Sequence, residues 1–142
     1  MVDTKVRILE AADHVLCASG YQGATVRAVA TRAGVNKGLV FYHFDSKAGL
    51  LDAVLERYYS EHLEALTKAF AASGTVRERL HRVLDGYFDF MRSHHRYSRL
   101  VAAVIAEDPN RKDEVRRHLE PLFTWFDAAL AELAPAEGPA AR

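Results

Sequence analysis

Apolar residues recur along this chain at spacings of three and four, and no Val/Ile/Thr-rich alternating run is bounded by hairpin turns. The pattern predicts helices from end to end. Ile8, Leu9, Ala12, Val15 and Leu16 form one stripe, and Gly20 supplies the left-handed stop expected past a helix end, giving a first helix from about Thr4 to Ser19. After the turn Tyr21–Gly23, Thr25 stands at an N-cap. Val26, Val29, Ala30 and Ala33 then make a short apolar face that Gly34 ends. Asn36 caps a third helix running through about Tyr42. Only Gly34 and Val35 separate it from the second, so the two must cross steeply.

Asp45-Ser46 caps a long fourth helix with the stripe Leu51, Val54, Leu55, Tyr58, Leu63, Leu66 and Phe70, persisting to about Ala72 and broken at Ser73-Gly74. A fifth, from Thr75 to about Ser93, carries Val76, Leu80, Val83, Leu84, Tyr87, Phe88 and Met91 on one face. A sixth starts near Tyr97 with Leu100, Val101, Val104 and Ile105, and Asp108-Pro109-Asn110 turns the chain after it. The last stripe, Val115, Leu119, Leu122, Phe123, Phe126, Leu130 and Leu133, crosses Pro121, which should kink the helix or open a new one. The tail from Pro135 to Arg142 has breaker composition and no stripe.

The chain has 142 residues, of which 49% are apolar, enough for a buried interior. Nineteen Lys and Arg balance nineteen Asp and Glu, so any polyanion binding must come from local charge. The longest apolar run, Leu100 to Ala106, falls far short of the roughly 20 residues of a membrane span. One cysteine, Cys17, makes neither an internal disulfide nor a cysteine metal cluster, and the N-terminus has no apolar signal core. A cytoplasmic protein with no membrane partner is expected.

The specific signal lies in residues 25–47. Setting Val26 at the start of a helix-turn-helix puts small Ala30 where the two helices touch, Gly34 in the turn, and Val35 and Val40 as apolar plugs under the second helix. Charge is local too: residues 20–47 hold Arg27, Arg32, Lys37 and Lys47 against the single acid Asp45. The run TVRAVATRAGVNKGLVFYHFDSKAGL, residues 25–50, resembles the DNA-binding segment of the TetR (tetracycline-repressor) family, and the likeness is good over about residues 4–55.

That resemblance implies an N-terminal three-helix bundle with a helix-turn-helix, residues 1–47, followed by a helical ligand-binding and regulatory bundle, residues 48–142. It implies a sequence-specific regulator of transcription, most often a repressor. Its partners would be a palindromic double-stranded DNA operator, a small-molecule effector and a second copy in a homodimer. On the DNA side, Asn36 and Lys37 would reach base edges from the N-terminal end of the third helix, and Gly38 would let the backbone approach. Arg27 would reach a guanine or a phosphate, while Thr25, Tyr42, His43 and Lys47 match family positions that bind phosphates. The family usually has Tyr at Phe41 and often a small hydroxyl residue at Leu39. Leu39 could instead touch a thymine methyl, and Phe41, with Val40 and Phe44, reads as core.

Within the body, His62, Phe70, Tyr87, Phe90, Met91, His94, Tyr97, Trp125 and Phe126 are the candidate lining of an effector pocket suited to a hydrophobic or planar ligand. The seven histidines include no His-x-x-x-His pair, Asp85 and Asp89 read as a solvated face with His81 and Arg92, and Cys17 as a buried thiol. Neither a phosphate loop nor a nucleophile elbow is present, so no catalysis, metal or cofactor is expected. Family members generally run longer, and their last two helices supply the dimer interface. The resemblance therefore implies a body incomplete at its C-terminus, or a dimer through another surface such as the last helix. The competing reading, from another class, is a module that binds a small molecule without DNA, or that pairs with a full-length regulator.

Overall fold

The chain enters α1 (Thr4–Gly23) through Asp3, whose carboxylate accepts from the Lys5 amide at 3.0 Å. In the computed structural model, which describes residues 1–134, Gly20 takes φ +71° as expected, but it bends the helix and does not end it. A further helical turn follows, closed by the Ala24 amide on the Gly20 carbonyl at 3.1 Å. Thr25 caps α2 (Val26–Ala33), accepting from the Ala28 amide at 3.0 Å. At its other end Gly34 has φ +67°, with its amide on Thr31 O and the Val35 amide on Ala30 O, the paired bonds that close a helix through a left-handed residue.

Asn36 caps α3 (Lys37–Phe44), which runs two residues past its predicted end. Val40 and Phe44, one turn apart, are buried. Phe41, expected in the core, is 44% exposed, because it points about 100° away from Val40 on the same helix. Ser46 then caps α4 (Lys47–Ala71). The reversal between α3 and α4 is so tight that a Cβ at Gly49 would lie 2.0 Å from the Phe44 carbonyl oxygen. Only glycine fits there, a constraint that periodicity does not reveal.

α4 ends where Arg82 donates to the carbonyls of Ala69, Ala72 and Ser73 at 3.2, 2.6 and 3.0 Å, satisfying groups that the last turn leaves open. Thr75 and Glu78 form a reciprocal capping box at the start of α5 (Val76–Ser93). α6 (His95–Glu107) begins two residues earlier than predicted, directly after His94. The predicted turn at Asp108–Asn110 is a 3₁₀ turn, Pro109–Arg111, leading into α7 (Lys112–Leu133), which continues through Pro121 as one helix. The architecture is all-α, with no strand among the described residues. The tail beyond residue 134 lies outside the described residues.

One main core joins the first three helices to the rest. Ile8, Leu16, Val29 and Val40 pack with Leu50, Leu51, Val54 and Leu55 of α4, and the same cluster takes in Tyr97, Leu100 and Val104 of α6 and Val115 of α7. Each fully buried aliphatic side chain contributes on the order of 1.5–3 kcal/mol, so the first turns of α4 anchor the first three helices to the rest of the chain. A smaller cluster, Leu66, Val83 and Leu122, holds the far end. There the stripe expected on α5 divides. Val83 is buried, whereas Val76, Leu80, Leu84 and Phe88 are 40–65% exposed, because α4 covers only one side of so broad an apolar face. Phe123 and Leu130 of α7 are exposed in the same way.

Candidate nucleic-acid interface and ligand cleft

α2 and α3 pack against each other, and their free surface carries most of the residues expected to meet DNA. Thr25, Arg27, Asn36, Lys37, Gly38, Leu39 and Tyr42 are exposed, the last by 79%. His43 is half-buried, its ring edge-on to Tyr42 at 5.0 Å. The caps consume only part of each polar group. Thr25 Oγ1 accepts from Ala28 and Asn36 Oδ1 from Leu39, which leaves a hydroxyl proton and an amide NH₂ to donate outward. A Cβ on Gly38 would come within 3.1 Å of Asn36 Oδ1, so that glycine also serves the cap. Arg7 of α1 donates to the Ala33 carbonyl at 2.5 Å, holding the end of α2.

Lys47 is already engaged. Its Nζ donates to the carbonyls of Tyr21 and Ala24 at 2.8 and 3.1 Å and lies 4.5 Å from the Tyr21 ring centre. Arg111 reaches the same ring, 4.1 Å from its centre, and donates to the Tyr21 hydroxyl at 2.7 Å. Tyr21 thus connects the head to the start of α4 and to the turn before α7, a role that its place in a predicted loop did not suggest.

Between α4, α5, α6 and α7 lies a cleft of about 380 Å³. Of the nine residues expected to line a pocket, His62, Tyr87 and Met91 do. Phe90 and His94 stack behind that wall, with His62 4.2 Å from Phe90 and Phe90 4.0 Å from His94 between ring centres. Tyr97 is turned toward α1. Phe70, Trp125 and Phe126 belong to the smaller cluster at the far end, where they pack against one another. The register of the helices, not the size of the aromatics, decides which side chains face the gap. The lining also includes Tyr58 and Tyr59 of α4, Ser98, Val101 and Ile105 of α6, and Leu119 of α7. The spacing Ser98, Val101, Ala102, Ile105 marks one helix face and could have been read from the sequence.

None of the lining side chains is acidic or basic apart from His62, and that ring is only 2% exposed. Its Nε2 is buried without a hydrogen-bond partner. Burial, helped by His94 nearby, lowers the His62 pKa to about 4, and burial pushes the Tyr59 phenol up to about 12.

A polar knot sits at the junction of head and body. Asp13 of α1, 6% exposed, accepts from Arg57 Nη2 at 2.6 Å and from the Tyr97 hydroxyl, with Arg96 Nη2 at 3.5 Å. Cys17, half-buried and not fully enclosed, points its Sγ at Asp13 from 3.6 Å. Burial and then the Asp13 charge push this thiol up to about 12, which leaves it unreactive. Tyr58, in the cleft wall, stacks on Tyr97 with centres 4.6 Å apart and planes 14° from parallel. An acid among the apolar positions Leu9, Ala12 and Leu16 was the signal available for this site. Farther along, His118 of α7 sits between Asp52 and Glu56 of α4 at 2.7 and 3.0 Å. Among the described residues no group of three potential ligands could hold a metal ion, and no helix is long and apolar enough to cross a membrane.

A short pair of helices packed together and carried on a third, and continued by a long helix into a four-helix body with a cleft, defines a helix-turn-helix protein with an appended helical module. Residues 8–54 match the model of the bacterial regulatory proteins of the tetR family. The HTH-type transcriptional activator FasR of Mycolicibacterium smegmatis is 33% identical over 95 residues, 67% of this chain and 43% of that protein. A probable HTH-type transcriptional regulator of Bacillus subtilis, YttP, is 28% identical over 106 residues, 75% of this chain and 51% of that one. The chain thus spans about half the length of these curated relatives. Among solved structures, the fatty acid degradation regulator FadR of Bacillus halodurans superposes with a TM-score of 0.79 at 19% identity, over 93% of this chain and 69% of its own, a likeness of fold.

Proposed function

We propose that this chain is a sequence-specific double-stranded-DNA-binding transcriptional regulator, a repressor whose operator affinity falls when a small hydrophobic or aromatic effector enters the cleft. The observation that carries the reading is the free face of α2 and α3, where Lys37, Leu39 and Tyr42 stand exposed on a helix whose buried side is fully occupied by Val40 and Phe44. Tyr42, 79% exposed, adds little to the packing, and Leu39 keeps more than a third of its surface open. In this reading residues 1–47 are the DNA-binding head and residues 48–142 the regulatory body. The start of α3 enters the major groove, Lys37 and Asn36 read base edges, and Leu39 meets a thymine methyl. Gly38 admits the backbone, and Arg27, Thr25, Tyr42 and His43 bind phosphates or a guanine. Lys47 adds charge to the phosphate side while keeping its two carbonyls.

Reading two half-sites about 34–36 Å apart needs a dimer. The face that fits a second copy is the exposed ridge Val76, Leu80, Leu84 and Phe88 of α5. The neighbouring ridge reads Arg77, His81, Asp85, Asp89, cationic at one end and acidic at the other. A two-fold antiparallel pairing of α5 would set Val76 of one copy on Phe88 of the other, and Arg77 on Asp89. Arg77 and Asp85 have no ion-pair partner among the described residues, and Asp89 holds Arg92 of its own helix at 2.6 Å, a surface pair that Arg77 of the other copy would share.

The test is binding to duplex DNA from upstream of the chain's own gene, with unrelated DNA as competitor and salt varied. Retention against competitor, two protomers per site and steep salt dependence are expected. Complete loss to competitor at every salt concentration would overturn the reading.

A further inference from the structure

Most polar groups this deeply buried are hydrogen-bonded, and His62 is an exception. The ring is 2% exposed, its Nε2 has no partner, and it lies in the wall of a cleft whose other surfaces are apolar or carry tyrosine and serine hydroxyls. A leucine or phenylalanine would fill the same space without that cost, and Phe90 stacked flat on the ring already supplies the apolar packing. The fold therefore gains nothing from this nitrogen. A ligand occupying the cleft could, with the ring turning to present this nitrogen, which is closed to solvent here.

We propose that His62 is the polar anchor of the cleft, and that the effector is an uncharged, mainly apolar molecule carrying one hydroxyl that hydrogen-bonds to His62 Nε2. The inference rests on the reading of this cleft as the effector site. The charge of the ligand follows from the lining: neither Lys nor Arg is present to neutralise an anion, nor Asp or Glu to hold a cation, so an ionised group would be stripped of water without compensation. The imidazole is itself neutral at physiological pH, since burial holds its pKa near 4. A hydroxyl suits such a ring in either tautomer, because it both donates and accepts. A site built around one buried hydrogen bond should also reject the analogue lacking that group, which leaves the nitrogen dry and unpaired.

Three matched planar probes test this on the whole chain: naphthalene, 2-naphthol and 2-naphthoate, followed by fluorescence titration at pH 7. The expected order is 2-naphthol at least tenfold tighter than naphthalene, with 2-naphthoate weaker than both. In His62→Leu the tenfold preference for 2-naphthol disappears while naphthalene binding stays the same or tightens. In His62→Gln, which restores a polar group, part of the preference returns. Equal binding of naphthalene and 2-naphthol by the unmodified chain overturns the anchor and leaves the cleft reading standing. Tighter binding of 2-naphthoate overturns the neutral class of ligand. Failure of all three probes to bind at their solubility limits overturns the cleft reading and the anchor together.

Discussion

The hydroxyl of Tyr97 donates to the carboxylate of Asp13, a bond that spans 84 positions of the chain and fastens α6 to α1. Tyr97 is also stacked on Tyr58, and Tyr58 lines the cleft, so a displacement of the cleft wall has a continuous packed route to the helix that supports α2 and α3. Arg57, on α4 one residue before Tyr58, shares the same carboxylate.

Tyr97→Phe keeps the ring stack and removes the bond to Asp13. Hydrogen bonds to charged groups contribute about 1.5–3 kcal/mol, and a loss of that order is expected in urea denaturation. The more telling outcome concerns regulation: the variant should bind DNA, but with an affinity that changes less on adding 2-naphthol than in the parent. An unchanged response would show that the route does not carry the coupling.

Lys37→Ala and Lys47→Ala should separate reading from holding. In the proposed docking Lys37 reads a base, so its loss is expected to narrow the gap between operator and unrelated DNA by about 1–3 kcal/mol, leaving Tm unaltered. Loss of Lys47 should weaken all DNA about equally. It should also lower Tm, because the carbonyls of Tyr21 and Ala24 lose their donor. Paired titrations and melting curves distinguish the two.

Acid should loosen the body through His62. Its folded-state pKa, about 4, lies below the ordinary 6.5, so between these values the unfolded chain binds the extra proton. Stability therefore rises with pH across that window and is lost as pH falls from about 6.5 toward 4. Urea denaturation at pH 7, 6 and 5 should show His62→Leu with a shallower loss than the parent. Parallel curves would contradict the burial of a neutral imidazole.

Two glycines should respond oppositely to alanine. At Gly49 the new Cβ would meet the Phe44 carbonyl oxygen at 2.0 Å, and the forced backbone shift is expected to cost about 1–3 kcal/mol or more. At Gly86, inside α5, the nearest atom is Ala69 Cβ at 3.8 Å, an ordinary contact, and the better helix former should add about 0.5–1 kcal/mol. Thermal melts of the two single variants decide the matter.

Leu84→Glu tests the α5 surface. A charge at the centre of the exposed ridge should convert a dimer to monomer in sedimentation experiments while the monomer stays folded, since Leu84 is 45% exposed. An unchanged sedimentation coefficient would place self-association elsewhere, with Phe123 and Leu130 of α7 the next surface to alter.

What could be read along the chain was what depends on near neighbours. The caps at Thr25, Asn36 and Ser46 and the left-handed glycines at 20 and 34 need only a few consecutive residues to be recognised, and the helix ends fell within two residues of expectation except at Gly20. The Thr25–Leu50 run was legible for the same reason, because a helix-turn-helix concentrates its steric demands in a short stretch. Which side of each helix would find a partner was not legible. Periodicity says that Val40 and Phe44 share a face and that Val76 and Leu80 share another, yet one pair is buried and the other is open. That outcome was decided by helices distant in sequence. The same holds for Asp13, which reads as a misplaced acid until Arg57 and Tyr97 arrive, for Lys47, whose carbonyl partners lie 23 and 26 positions away, and for the cleft, whose walls come from four helices. Local sequence determined the helices and the helix-turn-helix, because turns and caps are short-range. Only tertiary packing decided the cleft, its orphaned histidine and the link to the head, because each depends on side chains that the chain separates and the fold brings together.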